Sequence, residues 1–145
     1  MIIMLKGIPA LIPPELLKCL CEMGHGDEFT IGDANFPALS YCDKVIRMDG
    51  HGIPEILEAI LKLIPLDQYV DCPLTAMKIP ADAGIADPIT NAYEAIATAS
   101  DGRSGLIEYV DRFDFYDRVK GKSLFVIMTG EKALYANVVV RKGVI

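Results

Sequence analysis

The chain has 145 residues, of which 52% are hydrophobic, and its 20 acidic and 14 basic side chains give a formal net charge of −6. This charge excludes a general affinity for the nucleic-acid backbone, which depends on clustered Lys and Arg. The length predicts a single domain over residues 1–145. A mean hydropathy of +0.32 indicates either a deeply buried parallel sheet or an apolar surface covered by copies of the same chain.

Membrane and secretory signals are missing from the sequence. No run approaches the roughly 18 apolar residues that a transmembrane helix needs. The leading MIIML is too short for the core of a signal peptide and has no basic residue before it. The four cysteines, Cys19, Cys21, Cys42 and Cys72, form no CxxC pair and are interpreted as buried, reduced thiols. These features predict a cytoplasmic protein.

Strands and helices alternate along the chain, which predicts an α/β fold with a mostly parallel central sheet flanked by helices. The clearest helix is IPEILEAILKLI, in which apolar residues follow the helical period and Pro65 comes directly afterwards. The linker between the last two strands is only GEKAL, so these strands are expected to form an antiparallel pair. Helices are predicted at 13–23, 53–64, 88–99 and 113–120, and strands at 28–32, 44–48, 74–79, 106–110, 123–129 and 135–141.

A histidine lies where the first predicted helix stops, in MGHGDEFTIGDANFP (residues 23–37). The end of a helix favours the protonated imidazole, whereas burial favours the neutral form. His25 could therefore titrate near neutrality and pass protons in either direction. The alternative is a histidine that caps the helix through a backbone carbonyl, and the spacing leaves both open.

Asp33 follows the next predicted strand, and ligands of open α/β sheets gather at such strand ends. An aspartate there can equally cap a turn. His25 and Asp33 raise a geometric difficulty, since an extended chain would place them up to ~26 Å apart at about 3.3 Å per residue. Either the GHGDE segment folds back, or the two residues serve a site assembled from neighbouring subunits.

Two further segments carry side chains suited to a polar, ring-shaped ligand. RFDFYDR (112–118) places Arg112 beside aromatic residues on a short helix, although the same pattern suits an ion-paired helix packed through its aromatics. In GEKALYANVVVRKG, Tyr135 and Asn137 are two residues apart and would lie on one face of a strand. Both offer the neutral hydrogen bonds that sugar hydroxyls need.

Other site types find little support. His51, in DGHGIP, is most simply a turn residue before a helix, and the two histidines lack metal-ligand spacing. No GxSxG, P-loop or complete GxGxxG motif is present.

Taken together, LKGIPALIPPELLKCLCEMGHGDEFTIGDANFPA, RFDFYDR and TGEKALYANVVVRKGVI resemble the L-fucose mutarotase and D-ribose pyranase family. The resemblance covers nearly the whole chain. It implies a cofactor-free, metal-free isomerase that interconverts the α and β anomers of L-fucose or a related monosaccharide. It also implies a ring-forming sugar mutarotase-like α/β fold, with homo-oligomers that are often decamers and sites at subunit borders.

The resemblance also implies roles for particular residues. His25 matches the proton-transferring histidine, and the expected sugar-binding residues are Asp33, Arg112, Tyr135, Ala136 and Asn137. Our own mechanistic hypothesis adds Tyr135 as the partner of His25 in proton transfer. The fucose branch often has YGN where this chain has YAN, a form found in the ribose branch, and the usual A-D is Gly32-Asp33 here. D-ribose pyranase activity, a sugar-binding module without turnover and a purely structural ring protein are the alternatives.

Overall fold

The computed structural model describes residues 5–145, so the first four residues of MIIML lie outside it. Within 5–145, no helix has the length and apolar character to cross a membrane. The helices are α1 Pro14–Glu22, α2 Ala38–Tyr41, α3 Ile53–Leu61, α4 Thr90–Asp101 and α5 Arg112–Lys122, with a short 3-10 turn at Ala81–Ala83. The strands are β1 Glu28–Gly32, β2 Val45–Met48, β3 Leu74–Met77, β4 Ile107–Val110, β5 Ser123–Thr129 and β6 Val138–Arg141.

Prolines mark the bounds of the first long helices. α1 begins at Pro14, and its Cys19 is buried as predicted, whereas the prediction of a buried Cys21 is wrong because two residues along a helix lead to a different face. α3 carries Pro54 in its first turn, where the Glu55 side chain accepts the Gly52 N–H at 3.2 Å. The α3 helix ends at Leu61, earlier than the predicted residue 64, and Pro65 has no N–H to donate to the Leu61 carbonyl.

The six strands form one sheet in the order β2-β5-β1-β6-β3-β4. β1, β2 and β5 are parallel, β6 is antiparallel to both of its neighbours, and β4 is parallel to β3. This confirms the α/β fold with a mostly parallel sheet. The predicted antiparallel pairing of β5 with β6 is wrong, because β1 lies between them and pairs with both.

Helices cover both faces of the sheet. The larger apolar cluster joins α1, α3 and α4 to one face through residues such as Ile31 and Ile127. The smaller cluster packs α5 on the other face against Val126 and Val139. All five residues of β1 are buried, as expected for a strand sandwiched between two layers.

The topology brings several chain segments to one end of the sheet. Since β6 runs opposite to β1 and β3, its first residue lies at the same end as the last residues of those strands. The loops after β1, β3 and β4 and the loop before β6 therefore meet there. The strand predicted at 135–141 begins only at Val138, and the one predicted at 74–79 ends at Met77. Residues 135–137 and 78–80 thus belong to these loops.

Candidate active site

A cavity of about 670 Å³ lies where these loops meet. Its walls come from four segments that are far apart along the chain, and they combine two carboxylates, two amides, two phenols, an arginine and a lysine with apolar side chains. This mixture of polar groups over an apolar floor is typical of small-molecule sites. The lining residues are Asp33, Asn35, Phe36, Met77, Lys78, Ile79, Pro80, Asp111, Arg112, Tyr116, Tyr135 and Asn137.

Asp33 and Asn137 form the buried wall of the cavity. Both are almost fully buried, and the Asp33 N–H donates to Asn137 Oδ1 at 2.7 Å. This bond occupies the amide oxygen and leaves the Nδ2 group of Asn137 to donate to a ligand. Asp33 Oδ1 accepts the Asn35 N–H at 2.9 Å, so the aspartate both closes a turn and presents a carboxylate to the cavity.

The Asp33 carboxylate is less acidic than an exposed aspartate. Burial raises its pKa, hydrogen bonds from the backbone N–H groups of Asn35, Ala136 and Phe36 lower it, and the charge of Glu131 raises it further. The net result is a raised pKa, because desolvation disfavours the charged form. Asp33 is thus a hydrogen-bond acceptor held in a dry environment, where such bonds are stronger.

The YAN tripeptide adopts a turn rather than a strand. Tyr135 has φ 55°, in the left-handed region that side chains other than glycine seldom enter. Tyr135 and Asn137 still reach the same cavity, although the strand geometry predicted for them is wrong. Ala136 between them is fully buried and belongs to the larger apolar cluster instead of the cavity lining. The alanine methyl therefore packs in the core, away from the space open to a ligand.

The RFDFYDR helix serves both of the uses considered for it. In its first turn, Arg112 Nε donates to the Tyr116 hydroxyl at 3.0 Å, and both residues line the cavity. One turn later, Arg118 binds Glu28 at 2.9 Å and Glu108 at 2.7 Å. The helix thus presents a guanidinium and a phenol to the cavity while an ion cluster ties its middle to the sheet.

His25 lies outside this cavity. It precedes β1, whereas Asp33 follows it, and the five residues of the strand separate them by roughly 17 Å at 3.3 Å per residue. Gly26, at φ 85°, turns the chain, but its N–H donates to Lys142 O. Lys142 follows the last residue of β6, which pairs with the first residue of β1, so this bond holds Gly26 at the end of the sheet opposite to the cavity. The GHGDE segment therefore does not fold back to the cavity, and one copy of the chain cannot bring His25 and Asp33 to the same ligand.

A buried carboxylate holds the His25 ring. His25 Nε2 lies 3.0 Å from Asp67 Oδ1, and the Asp67 side chain is fully buried while that of His25 is 45% exposed. Arg141 Nε donates to Asp67 Oδ2 at 2.6 Å, and the Tyr69 ring lies 5.2 Å from the imidazole. A carboxylate on one ring nitrogen orients the imidazole and leaves Nδ1 available for a ligand. The partner is thus a carboxylate, not the helix carbonyl of the capping alternative.

The Asp67 carboxyl is correspondingly acidic. Burial alone would raise its pKa, but hydrogen bonds from Arg141, the Tyr69 N–H and His25 outweigh burial and lower it. A lowered folded-state pKa means that the unfolded chain binds the proton first as the pH falls. Asp67 therefore stabilises the fold above the ordinary carboxyl pKa, and this stabilisation is lost as the pH falls from that value through the lowered one.

We expect the stability difference between the wild type and Asp67→Asn to be largest near neutral pH and to shrink as the pH falls below about 4, the ordinary pKa of an aspartate. Urea unfolding between pH 7 and pH 3 measures it. Asp82→Asn, at an exposed carboxylate of the Ala81–Ala83 turn, is the control and should give a difference that stays constant with pH. A difference that stays constant with pH for Asp67→Asn would contradict the lowered pKa of Asp67.

The structure adds residues to those predicted from the sequence. Tyr116, in the RFDFYDR motif, and Asn35, in DANFP, lie in segments already singled out. Asp67 and Met77 lie in segments without a motif, and only the topology places them beside His25 and the cavity. His51 precedes α3 as predicted, with its Nδ1 2.9 Å from Glu55 Oε1. Across residues 5–145, no three His, Cys, Asp or Glu side chains cluster as metal ligands.

Fold and cavity together define an α/β protein with a cavity of mixed polar and apolar lining at one end of its sheet. The model of the RbsD / FucU transport protein family matches residues 6–145, and the chain belongs to this family. The family resemblance inferred from the motifs is thereby confirmed.

Individual relatives extend the comparison. A fucose mutarotase from Homo sapiens is 48% identical over 147 residues, with 97% of this chain and 94% of the relative covered. The crystal structure of FucU from Bifidobacterium longum superposes with a TM-score of 0.91 at 50% identity, covering 97% of this chain and 99% of the other. The fucose mutarotase of Streptococcus pneumoniae in complex with L-fucose gives 0.88 at 44% identity, with the same coverage.

Proposed function

We propose that this protein is a mutarotase that interconverts the α and β anomers of L-fucose by opening and closing the sugar ring. The observation that carries the proposal is the convergence of Asp33, Arg112, Tyr135 and Asn137, from three distant segments, in one cavity. Their functional groups match a ligand with many hydroxyls. The fucose mutarotases among its relatives, similar over nearly their full length, support fucose as the sugar.

The cavity binds the sugar through groups that keep their positions in the free protein. Asp33 accepts hydrogen bonds from hydroxyls, and Asn137 donates from its Nδ2 group. Arg112, whose Nε is engaged by Tyr116, offers its terminal nitrogens. Such preorganised contacts orient the ring without the cost of ordering flexible side chains on binding. They leave the anomeric carbon free of covalent attachment, so the open aldehyde can rotate before the ring closes.

Ring opening needs one proton removed and one delivered. A base takes the proton of the anomeric hydroxyl while an acid protonates the ring oxygen, and the bond between that oxygen and the anomeric carbon breaks. Closure reverses these transfers on the other face of the aldehyde. His25 is our candidate for the proton transfer because Asp67 orients its ring, with Tyr135 as its partner. Acid–base assistance of this kind typically contributes ~10²–10⁴-fold.

His25 reaches the sugar from a second copy of the chain. The histidine and the cavity lie on different parts of the surface, and each has an exposed aromatic side chain beside it. These are Tyr69, 75% exposed, next to His25, and Phe113, 73% exposed, next to Arg112. An interface between two different faces repeats from copy to copy and closes into a ring when the rotation allows. We therefore propose a ring-shaped homo-oligomer, working in the cytoplasm, where its free cysteines stay reduced.

NMR saturation transfer between the α and β anomeric protons of L-fucose, with and without protein and repeated with D-ribose, tests the function. We expect the protein to accelerate exchange for fucose and much less for ribose. Acceleration for ribose alone would assign the D-ribose pyranase activity instead. Fucose binding without acceleration would identify a binding module, and the absence of both would leave a structural ring protein.

A further inference from the structure

A buried tyrosine lies beneath the YAN turn. Tyr93, on α4, is fully buried, and its hydroxyl donates to the Ala136 carbonyl at 2.7 Å. Tyr93 does not line the cavity. Burying a Tyr hydroxyl in an apolar core costs free energy unless the hydroxyl forms a hydrogen bond. A phenylalanine would fill the same space without this cost, so the hydroxyl itself is expected to have a role.

The Ala136 carbonyl needs this donor because the sheet does not supply one. The hydrogen-bonded ladder of β6 with β1 and β3 ends at Val138, which pairs with Ile31 and Ala76. Ala136 lies beyond this end, and it is fully buried. Ala136 is therefore shielded from water, and Tyr93 supplies the hydrogen bond that its buried carbonyl would otherwise lack.

This bond belongs to a chain of contacts that reaches the cavity wall. Tyr93 donates to the Ala136 carbonyl, and the Asp33 N–H donates to Asn137 Oδ1 at 2.7 Å. The backbone N–H of Ala136 also lowers the pKa of the Asp33 carboxyl. Both Asp33 and Asn137 face the cavity. The left-handed Tyr135 comes immediately before. The Tyr93 hydroxyl is thus one bond away from the turn that sets the direction of all three cavity side chains.

We propose that Tyr93 is a positioning residue for the sugar site, which fixes the YAN turn so that Tyr135, Asn137 and Asp33 are directed at the sugar. The assignment rests on the proposed mutarotase function. Burial, with the nearby charges of Glu131 and Asp33, raises the pKa of Tyr93. The hydroxyl consequently stays protonated, and remains a donor, throughout the pH range in which the protein would work.

Tyr93→Phe tests the role, since it removes the hydroxyl and keeps the ring that fills the core. We expect kcat/KM for fucose anomer exchange to fall roughly tenfold, because small misplacements of positioned groups carry costs of this size or larger. The loss should come mainly from a higher KM, with fucose binding weakened to a similar degree. The reason is that the side chains of the YAN turn contact the hydroxyls of the sugar already in the ground state. Saturation transfer at several fucose concentrations separates KM from kcat.

Two controls separate positioning from general stability. Tyr109→Phe removes the hydroxyl of a partly exposed tyrosine of β4 that forms no side-chain hydrogen bond within residues 5–145. Ile56→Val weakens the fully buried core under α3 and is measured at temperatures where both variants are folded. Both controls should keep the wild-type KM.

The outcomes distinguish this proposal from the function on which it rests. If the wild type accelerates exchange and Tyr93→Phe keeps the wild-type KM and kcat, the positioning role is refuted. A KM increase in Ile56→Val equal to that in Tyr93→Phe would also refute it, since stability alone would then explain the loss. A wild type that neither binds fucose nor accelerates exchange overturns the mutarotase function itself.

Discussion

Replacing His25 by glutamine is expected to slow the catalysed exchange of fucose anomers by about 10²–10⁴-fold, the range that positioned acid–base groups contribute. Glutamine is similar in length and can still donate to Asp67, but its amide does not exchange protons near neutral pH. Fucose binding should change much less, because Asp33, Arg112 and Asn137 stay in place. Saturation transfer gives the rate, and titration calorimetry gives the affinity.

The other histidine of the chain provides the matched control. His51 also faces a carboxylate, Glu55, at 2.9 Å, and its side chain is 38% exposed against 45% for His25. His51→Gln should therefore leave the exchange rate unchanged. An unchanged rate in His25→Gln would show that another group transfers the proton. A mixture of His25→Gln and Asp33→Ala proteins would regain part of the activity if the site combines His25 of one copy with the cavity of the next.

The second large effect is on stability. Glu28 is 1% exposed, and its carboxylate accepts hydrogen bonds from Arg118 at 3.1 Å and 2.9 Å while lying 3.5 Å from Arg141. Removing one partner of a buried ion pair leaves the remaining charges uncompensated. We expect Glu28→Gln to lower the free energy of unfolding by about 3 kcal/mol, as measured by urea denaturation at neutral pH.

An exposed ion pair shows how much of this effect comes from burial. Glu22 pairs with Lys18 at 3.0 Å on the surface of α1, where solvent screens the charges. Glu22→Gln should leave the unfolding curve unchanged within error. If Glu28→Gln also had no effect, the ion cluster that joins β1 to α5 and β6 would contribute nothing to stability despite its burial.

Local patterns predicted most of the fold because they depend on neighbouring residues. β1 and β5 occupy the predicted residues, 28–32 and 123–129. Polar and apolar residues alternate in β1, and β5 is a short apolar run, and both patterns are typical of strands. The helices after Pro13 and Gly52 begin where proline and capping residues favour a start. The short helix α2 was not predicted, because four residues are too few to show helical periodicity.

Strand pairing and side-chain direction could not be predicted from local patterns. A five-residue linker between β5 and β6 favours a hairpin, but β1 lies between them, where burial of all five of its residues suits an interior strand. The left-handed conformation of Tyr135 breaks the strand alternation that placed Tyr135 and Asn137 on one face. Asp67 is 42 positions from His25 along the chain, so no local spacing predicts that the two side chains are in contact. Cavity-lining residues in recognisable motifs were thus predicted from the sequence, whereas those that only the topology brings to the cavity were not.

The place of β6 in the sheet has a consequence for biosynthesis. β6 is the last of the six strands along the chain, yet it lies in the interior of the sheet between β1 and β3. Until residues 138–141 leave the ribosome, β1 and β3 each present an unpaired edge, which is a site for aggregation. The cavity also depends on the end of the chain, because the Asp33 N–H bonds to Asn137, which is 104 positions later. Ligand binding can therefore occur only after nearly the whole chain has been made.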